Sequence, residues 1–550
     1  MKKFFPLFNK PIWLLLLLCS VVFLVQLVRT TGLYPTVFPD EDTYSTLSRL
    51  VPLDQSPVPM YLYFWIYSFT NHCGDGFLDC ARILNSLFFV SGAVFVYLIA
   101  RRVMPGMVAV LVAGASILGP LGIYTAYFMP ENLYFLGFWI LAWGLIGLDE
   151  NSRIRQWLLP GFVFGCLSLV KPHSLFLVPA IAIYIVYLGC GKQVRRPATI
   201  TMNAAAFFIA AAAAKFLLGY LFAGNSAFTI FGPLYSEIAS LAGQNPDVYF
   251  RLAEFASLSF GGHAMAIALL YGVPVFVTMS IVIESLKNGD ANRAPLNRIS
   301  LFAILVVSNL VLVTAAFSAL ARLYSEEEFL LHMRYYNFAL PLFYIVAASA
   351  MFSKRARPGA ISTVLLASLT CLACYAVGAY MAPFVTGSNL HSPDIHSVSG
   401  NEGVFYVFGG LSILALLLCF WRTVSGARTY VCLVVPFLVA SAFNMIEGAR
   451  SNALSPGVGA RAGLFARDYL SPNDRDKLLI VGSYPRYLYN AAFHVNSAGV
   501  SVDSRWPYDF SKLPAGKEWV LFVDDPVPAG SWFSQVLPMN GFTLARVARQ

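Results

Sequence analysis

Charged residues are scarce in this chain. Asp, Glu, Lys and Arg make up 12% of its 550 residues, whereas 58% of the residues are hydrophobic. Soluble domains carry about a quarter charged residues, so the composition excludes an ordinary water-soluble protein. Uncharged runs of about 20 residues, the length that crosses the core of a bilayer, recur along the chain. The sequence therefore predicts a polytopic membrane protein.

The apolar runs predict an all-α membrane part with about thirteen transmembrane helices. The predicted spans are 12–29, 83–100, 106–123, 131–148, 157–170, 173–190, 199–223, 263–284, 299–321, 335–352, 359–382, 403–421 and 429–446. The run 157–170 is short, and Pro172 separates it from the next run.

Several sequence motifs are also missing. No H-E-x-x-H motif occurs, and the C-x-x-C of Cys371 and Cys374 lies inside an apolar run, where a zinc site is not expected. We find no internal repeat and no nucleic-acid-binding motif. The net charge of +9 reflects the basic loops that orient the spans, so the predicted partner is the lipid bilayer and not nucleic acid.

The distribution of charge predicts the orientation of the chain. Lys and Arg collect in alternate loops, for example at Arg101, Arg102, Lys192, Arg195 and Arg196, while most acidic residues lie in the loops between. Because basic loops stay in the cytoplasm, we predict a cytoplasmic N-terminus and a C-terminal segment outside a bacterial cytoplasmic membrane.

Two regions interrupt the membrane pattern. The first is the outer loop 30–82, in which the aromatic segment 61–69 is too short to span and is predicted to lie along the membrane surface. Cys73 and Cys80 in this loop could close a disulfide in an oxidising compartment. The second region, 448–550, has short apolar runs at 477–482 and 518–525, which predict strands of a small extracytoplasmic α/β domain. We therefore divide the chain into a membrane domain, 1–447, and a tail domain, 448–550.

The acidic triplet Asp40-Glu41-Asp42 follows the first span directly. Adjacent carboxylates repel one another, which raises at least one pKa toward the range of a general base. The same residues would also suit a solvated helix start, since acids favour helix N-termini. Carboxylates are also ligands that a divalent cation prefers, so the sequence leaves a metal ion at Asp40, Glu41 and Asp42 open.

The segment "FPDEDTYSTLSRL" resembles the start of the GT-C glycosyltransferases, in the branch of protein O-mannosyltransferases and aminoarabinose transferases. In that family an Asp-Glu pair opens the first outer loop and a Tyr follows, and Asp40, Glu41 and Tyr44 match this pattern. The following "QSPVPMYLYFWIYSF" is similar to the surface-helix segment of the family, and Arg82 matches the Arg before its second helix.

The resemblance continues downstream. Glu131 in "YFMPENLYFLGF" matches an acidic residue at the outer start of a helix, although it could also be a simple interfacial cap. Lys171 before Pro172 matches a Lys-Pro break, and a lysine there could also extend its amine to the interface. Arg334 and Tyr335 match a late Arg-Tyr pair, although Arg334 could instead pair with the nearby acids Glu326, Glu327 and Glu328.

Lys215 is singled out by its position in the chain and not by the family resemblance. It lies inside the apolar run "AAFFIAAAAAKFLLGYLF", and a charge at mid-membrane costs roughly 3 kcal/mol or more. Because charges inside membrane spans usually serve function, we predict that Lys215 binds a lipid phosphate, although its amine could also reach the interface.

The resemblance implies a GT-C helical bundle whose active site faces the outside. It implies an inverting glycosyltransferase with a polyprenyl-phosphate sugar as donor and a glycan, lipid or protein as acceptor. Asp40 or Glu41 would be the catalytic base. The residues predicted to bind substrate are Asp42, Tyr44, Arg82, Glu131, Lys171, Lys215, Arg334 and Tyr335.

The sequence leaves two other functions open. A transporter or flippase of lipid-linked sugars also needs many helices and buried cations, but it does not need a long outer loop with adjacent acids. An O-antigen ligase or polymerase would use a diphosphate-linked donor and favour Arg and His in a late outer loop. The segment 383–402 offers His391 and His396 but no Arg.

Overall fold

The computed structural model describes most of the chain. The described residues are 10–34, 39–149, 152–190, 197–230, 232, 246–288, 294–325, 329–352, 359–387, 389–528 and 532–548. The acids Glu326, Glu327 and Glu328, considered above as partners of Arg334, lie outside the described residues.

Helices dominate the first 450 residues. Among the described residues of this part, the α-helices are Lys10–Thr30, Pro39–Arg49, Tyr61–Ser68, Phe77–Ala100, Gly106–Leu118, Glu131–Gly147, Arg155–Ser168, Val178–Gly189, Pro197–Ala213, Gly219–Ala223, Pro246–Asn288, Pro295–Ser325, Pro341–Ala350, Ala360–Gly378, Pro393–Ser399, Glu402–Trp421, Thr423–Thr429 and Val435–Asn452. A polytopic helical membrane protein is therefore confirmed.

Among the described residues, nine helices are long and apolar enough to cross a membrane, and the number rises to ten if a bent pair counts as one span. The bent pair is Gly106–Leu118 with Pro120–Ala126, which meet at 51°. Three of the thirteen predicted spans, 131–148, 157–170 and 335–352, correspond to helices of 17, 14 and 10 residues, which are below the 18 residues required of a span. Prolines account for part of this difference, because Pro172 and Pro341 each begin a new helical segment, as their fixed φ favours.

Glycines allow two of these helices to approach closely. Gly161 and Gly165 are four residues apart on the helix Arg155–Ser168, which packs against Pro197–Ala213. A Cβ at either glycine would lie 2.2 Å from a backbone oxygen, that of Phe207 or of Ala211. Small residues at this spacing are a common helix-packing device in membranes.

The loop after the first span is well structured. It contains the helix Pro39–Arg49, hereafter the acidic helix, and the aromatic helix Tyr61–Ser68. Cys73 and Cys80 form a disulfide, so the sulfur atoms pair as the sequence allowed. In the aromatic helix, Tyr63 and Phe64 are buried in the protein while Trp65 is partly exposed.

The tail forms a small α/β domain, as predicted. Its mixed sheet has the strand order β2-β1-β3-β5-β4, with β1 Leu478–Val481, β2 Ser501–Asp503, β3 Trp519–Val523, β4 Phe533–Met539 and β5 Phe542–Val547. β1 pairs in parallel with β2 and β3, and β5 is antiparallel to β3 and β4. The helices of this part are Val458–Tyr469, Pro472–Arg475 and Pro485–Val495.

The predicted runs 477–482 and 518–525 became β1 and β3, and the segment between them contains the helix Pro485–Val495, hereafter the tail helix. The sequence did not predict β4 and β5. The predicted domain boundary at 447/448 falls inside the helix Val435–Asn452 and stays a prediction.

The tail helix packs against the acidic helix. Arg49 donates a hydrogen bond from Nη2 to Oδ1 of Asn496 over 2.7 Å, and the rings of Phe77 and Phe493 lie 5.3 Å apart. The tail therefore covers one side of the segment that carries the acidic triplet.

Candidate active site

The three adjacent carboxylates point to three different partners. Successive residues of an α-helix are turned by about 100°, so Asp40, Glu41 and Asp42 cannot share one face. Asp40 pairs with Arg334, Glu41 accepts a hydrogen bond from the backbone of Phe128, and Asp42 is attracted by Arg49. The triplet is thus resolved into one accessible ion pair and two more enclosed acids.

Asp40 and Arg334 form the centre of the candidate site. Their Oδ2 and Nη2 atoms are 2.7 Å apart, and the side chain of Asp40 is 42% exposed while that of Arg334 is 11% exposed. Arg334 also donates from Nη2 to Oη of Tyr335 over 3.2 Å, and its backbone N–H donates to the carbonyl of His391 over 2.9 Å. Arg334 is therefore fixed by both its backbone and its side chain.

The pKa of Asp40 is lowered. Desolvation by the surrounding protein opposes ionisation, but Arg334, helped by His391 and Lys171, holds the pKa of the carboxyl below its ordinary value. Asp40 is consequently ionised at neutral pH and can accept a proton.

The pKa of Glu41 shifts in the opposite direction to that of Asp40. Its side chain is fully buried, Oε1 accepts a 2.7 Å hydrogen bond from the N–H of Phe128, and Oε2 has no hydrogen-bond partner among the described residues. Burial raises the pKa of Glu41 to about 8, and burial also raises that of Asp42 to about 7. Glu41 is thus mostly protonated at neutral pH and fixes the acidic helix to the segment around Phe128.

Lys171 and Glu131 form a buried ion pair beside this centre. Nζ of Lys171 lies 2.8 Å from Oε1 of Glu131, and both side chains are less than a tenth exposed. The amine is also 5.5 Å from the ring centroid of Tyr335, which stacks on His173 at 4.7 Å. Tyr44 is close enough to Arg334 to interact with it electrostatically, so it belongs to the same group.

Two predicted substrate ligands lie apart from this group. Arg82 is fully buried and directed to the protein: it pairs with Asp79 at 2.6 Å and donates to the carbonyls of Ala126 and Leu33. It braces the loop. Lys215 lies in a π-helical turn, Ala214–Leu218, and its buried Nζ has no hydrogen-bond partner among the described residues.

Sequence reasoning did not assign two residues that the structure places here. His391 lies beside Asp40, and its ring is 4.9 Å from that of His332. Asp394 is fully buried and accepts hydrogen bonds from Tyr271 Oη over 2.9 Å and from Asn337 Nδ2 over 3.2 Å. Burial raises the pKa of Asp394 to about 6. The only sequence signal was an Asp and two His close together in the loop 383–402.

A metal ion has weak geometric support. Within the part of the chain that the structure describes, no three His, Cys, Asp or Glu side chains group as ligands. The three carboxylates of the triplet diverge. The divalent cation therefore stays a prediction.

A family comparison bears on this site. Residues 55–216 match the model of the family described as dolichyl-phosphate-mannose-protein mannosyltransferase. The resemblance to the GT-C glycosyltransferases is confirmed. The matched segment includes Arg82, Glu131, Lys171 and Lys215, whereas Asp40 and Arg334 lie outside it. A comparison with curated proteins finds no match.

Solved structures are similar to the chain at low identity. The chain is similar to ArnT from Cupriavidus metallidurans in the apo state, with 13% identity, a TM-score of 0.48 and coverage of 98% of this chain and 99% of that one. It is also similar to the apo oligosaccharyltransferase of Archaeoglobus fulgidus, with 10% identity, a TM-score of 0.47 and coverage of 95% and 70%. A third similar structure is AglB from the same organism with an inhibitory peptide and a dolichol-phosphate, at 11% identity, a TM-score of 0.43 and coverage of 93% and 69%.

Proposed function

We propose that this GT-C glycosyltransferase moves a sugar from a polyprenyl-phosphate donor to an acceptor at the outer face of the bacterial cytoplasmic membrane. The acceptor is a cell-envelope glycan, lipid or protein. The observation that carries the proposal is the accessible carboxylate of Asp40, held 2.7 Å from the fixed guanidinium of Arg334. A base and a phosphate-binding cation therefore meet at one point.

Asp40 is the proposed general base. It accepts the proton of the acceptor hydroxyl, whose oxygen attacks the anomeric carbon of the donor. The bond between that carbon and the phosphate oxygen breaks, and the lipid phosphate leaves with the electron pair. One displacement of this kind inverts the anomeric configuration.

Arg334 is the proposed phosphate ligand, since a planar guanidinium can hold a phosphate with two hydrogen bonds. Negative charge develops on the leaving phosphate, and a fixed cation stabilises it there. Donor binding also has a second effect. The phosphate competes with Asp40 for Arg334, which raises the pKa of Asp40 and makes it a stronger base when the donor is present.

The other residues of the group have smaller proposed roles. Tyr335 and Tyr44 shape the pocket around Arg334, and Lys171 adds positive charge that Glu131 partly compensates. Glu41 is a positioning residue through Phe128, and Arg82 braces the loop. Lys215 is a proposed contact for a lipid phosphate because its buried amine has no hydrogen-bond partner among the described residues.

The proposed orientation has the N-terminus in the cytoplasm and the tail outside. The Cys73–Cys80 disulfide supports it, because disulfides persist on the oxidising side of the membrane and this loop carries the acidic helix.

The test is sugar transfer by the purified protein in liposomes that contain a polyprenyl-phosphate sugar. Asp40→Asn should lower the transfer rate about 100- to 10,000-fold, the usual contribution of a general base. Asp54→Asn, at an exposed carboxylate of the same loop, is the matched control and should keep the wild-type rate. Equal rates for the two variants would refute the assignment of the base.

Transport of the donor across the bilayer without release of polyprenyl phosphate would instead indicate a flippase. Glycan analysis of a deletion strain identifies the sugar and the acceptor.

A further inference from the structure

A cavity of about 310 Å³ lies at the end of the first helix, away from Asp40. Three arginines from three parts of the chain line it: Arg29 from Lys10–Thr30, Arg450 from Val435–Asn452 and Arg486 from the tail helix. The remaining lining includes Tyr127 and Asn389. The cavity therefore lies where the helical bundle meets the tail.

The charge of this cavity is positive. Arg29 Nε lies 3.7 Å from Glu447 Oε2, and Arg450 Nη1 lies 2.7 Å from Glu447 Oε1, so two guanidinium groups share one carboxylate. The Nε atoms of Arg29 and Arg450 are buried and make no hydrogen bond within the described residues. Donors of this kind favour an additional anion, and arginine forks match phosphate well.

An apolar cavity of about 230 Å³ continues from the first one. Leu18, Val21 and Val25 of the first helix line it, together with Phe443 of the helix Val435–Asn452. The two cavities share Arg29, Thr30, Gly122 and Ile446 in their linings, which makes Gly122 part of the neck between them. Leu17, Leu24 and Val28 on the first helix are well exposed, as expected for a helix in contact with lipid.

We propose that the two cavities together bind a phosphate-bearing membrane lipid. The phosphate contacts Arg29, Arg450 and Arg486, and a hydrocarbon chain occupies the apolar cavity. An amphipathic ligand fits because a positive chamber and an apolar groove are joined at one neck. Arg486 belongs to the tail helix, so the lipid links the tail to the helical bundle.

This site is distinct from the candidate active site. Asn389 lines the cavity, whereas His391, two residues later, does not line it and lies beside Asp40. Tyr127 lines the cavity while the next residue, Phe128, holds Glu41. Lipid binding in these cavities does not require sugar transfer, so it is a property separate from the proposed function.

Two lipids supply the required chemistry: an anionic phospholipid of the bulk membrane and polyprenyl phosphate. The purified full-length chain in detergent is titrated with phosphatidylglycerol, polyprenyl phosphate, diacylglycerol and inorganic phosphate, and bound molecules are counted by native mass spectrometry. We expect at least one of the phosphate-bearing lipids to bind about tenfold or more tightly than diacylglycerol, and the tighter of the two identifies the source. Equal binding of diacylglycerol would overturn the proposal.

Variants locate the binding. Arg450→Gln and Arg486→Gln should each weaken lipid binding about tenfold, while Arg461→Gln, an exposed arginine of the tail, is the matched control and should not. Arg334→Gln should leave this binding unchanged, which separates it from binding at the candidate active site. Wild-type affinity in both Arg450→Gln and Arg486→Gln would overturn the proposal.

Gly122→Leu tests the neck. A Cβ at Gly122 would be 3.6 Å from Ile446 Cδ1, an ordinary contact, so a leucine can extend into the neck without moving the backbone. The variant should lose binding of the lipid and keep binding of inorganic phosphate. Unchanged lipid binding would contradict the proposed path of the chain.

Discussion

Lys171 and Lys215 are equally buried, each with 5% of its surface exposed, but their surroundings differ. Lys171 lies 2.8 Å from Glu131 and close to Tyr335, in a group that contains both signs of charge. Lys215 lies in a π-helical turn, and its amine has no hydrogen-bond partner among the described residues. Burial alone does not indicate a ligand site. Lys215, which has no compensating acid among the described residues, is the lysine that favours an anion from outside the protein.

The largest expected effect comes from removing the acid of the compensated pair. Glu131→Gln leaves Lys171 buried without its counter-charge, which should lower the free energy of unfolding by about 3 to 5 kcal/mol. Denaturant or thermal unfolding in detergent measures the loss. The double variant Glu131→Gln/Lys171→Met should recover most of it, because both charges are then gone. A single variant as stable as the wild type would show that the pair is not compensating.

Replacing Lys215 should change the stability in the opposite direction. Lys215→Met replaces a buried amine by an apolar side chain of similar length and should raise the free energy of unfolding by up to about 3 kcal/mol. The same variant should raise KM for the polyprenyl-phosphate donor about tenfold if Lys215 binds its phosphate. Lys287→Met, at an exposed lysine, is the control for both measurements. A Lys215→Met variant that is less stable than the wild type and has an unchanged KM would contradict both expectations.

The third effect, measured per pH unit, is the smallest and concerns a buried acid. Glu41 has a pKa of about 8 in the folded protein against 4.5 ordinarily, so the folded chain keeps a proton that the unfolded chain releases. The contribution of Glu41 to stability should therefore fall as pH rises from about 4.5 to about 8, by up to about 1.4 kcal/mol per pH unit, and level off above pH 8. Unfolding at pH 6, 7, 8 and 9 measures the slope. The pKa values of Asp42 and Asp394 are raised too, to about 7 and about 6, so several groups contribute to the slope below pH 7. Glu41→Gln should flatten the slope between pH 7 and pH 8, whereas Asp54→Asn should not, and a slope that survives there in Glu41→Gln would assign it to another group.

Much of the fold could be predicted from composition and periodicity. Long uncharged runs specify membrane helices without reference to the rest of the chain, and the short apolar runs 477–482 and 518–525 specified β1 and β3. β4 has mostly exposed side chains, so its sequence did not distinguish it from a loop. The predicted span 335–352 contains a shorter helix, Pro341–Ala350, because apolar length alone does not show where a helix begins.

The site was predicted less completely, for a different reason. Asp40, Arg334, Lys171 and Glu131 were each singled out, but their pairing depends on tertiary structure. Arg82 has the same chemistry as Arg334 in the sequence, yet it braces the loop through Asp79. Asp394 gave little signal because its partners, Tyr271 and Asn337, are 123 and 57 residues away in the chain.

Asp40 and Arg334 are 294 residues apart in sequence, and the backbone of Arg334 is held by His391. During synthesis the acidic helix therefore leaves the ribosome long before the cation that pairs with it. The growing chain must insert most of its helices before the two charges can meet, since contacts of such long range form late. The Asp40–Arg334 pair is thus complete only after residue 391 has been synthesised, and a nascent chain that stops earlier lacks the carbonyl that holds the backbone of Arg334.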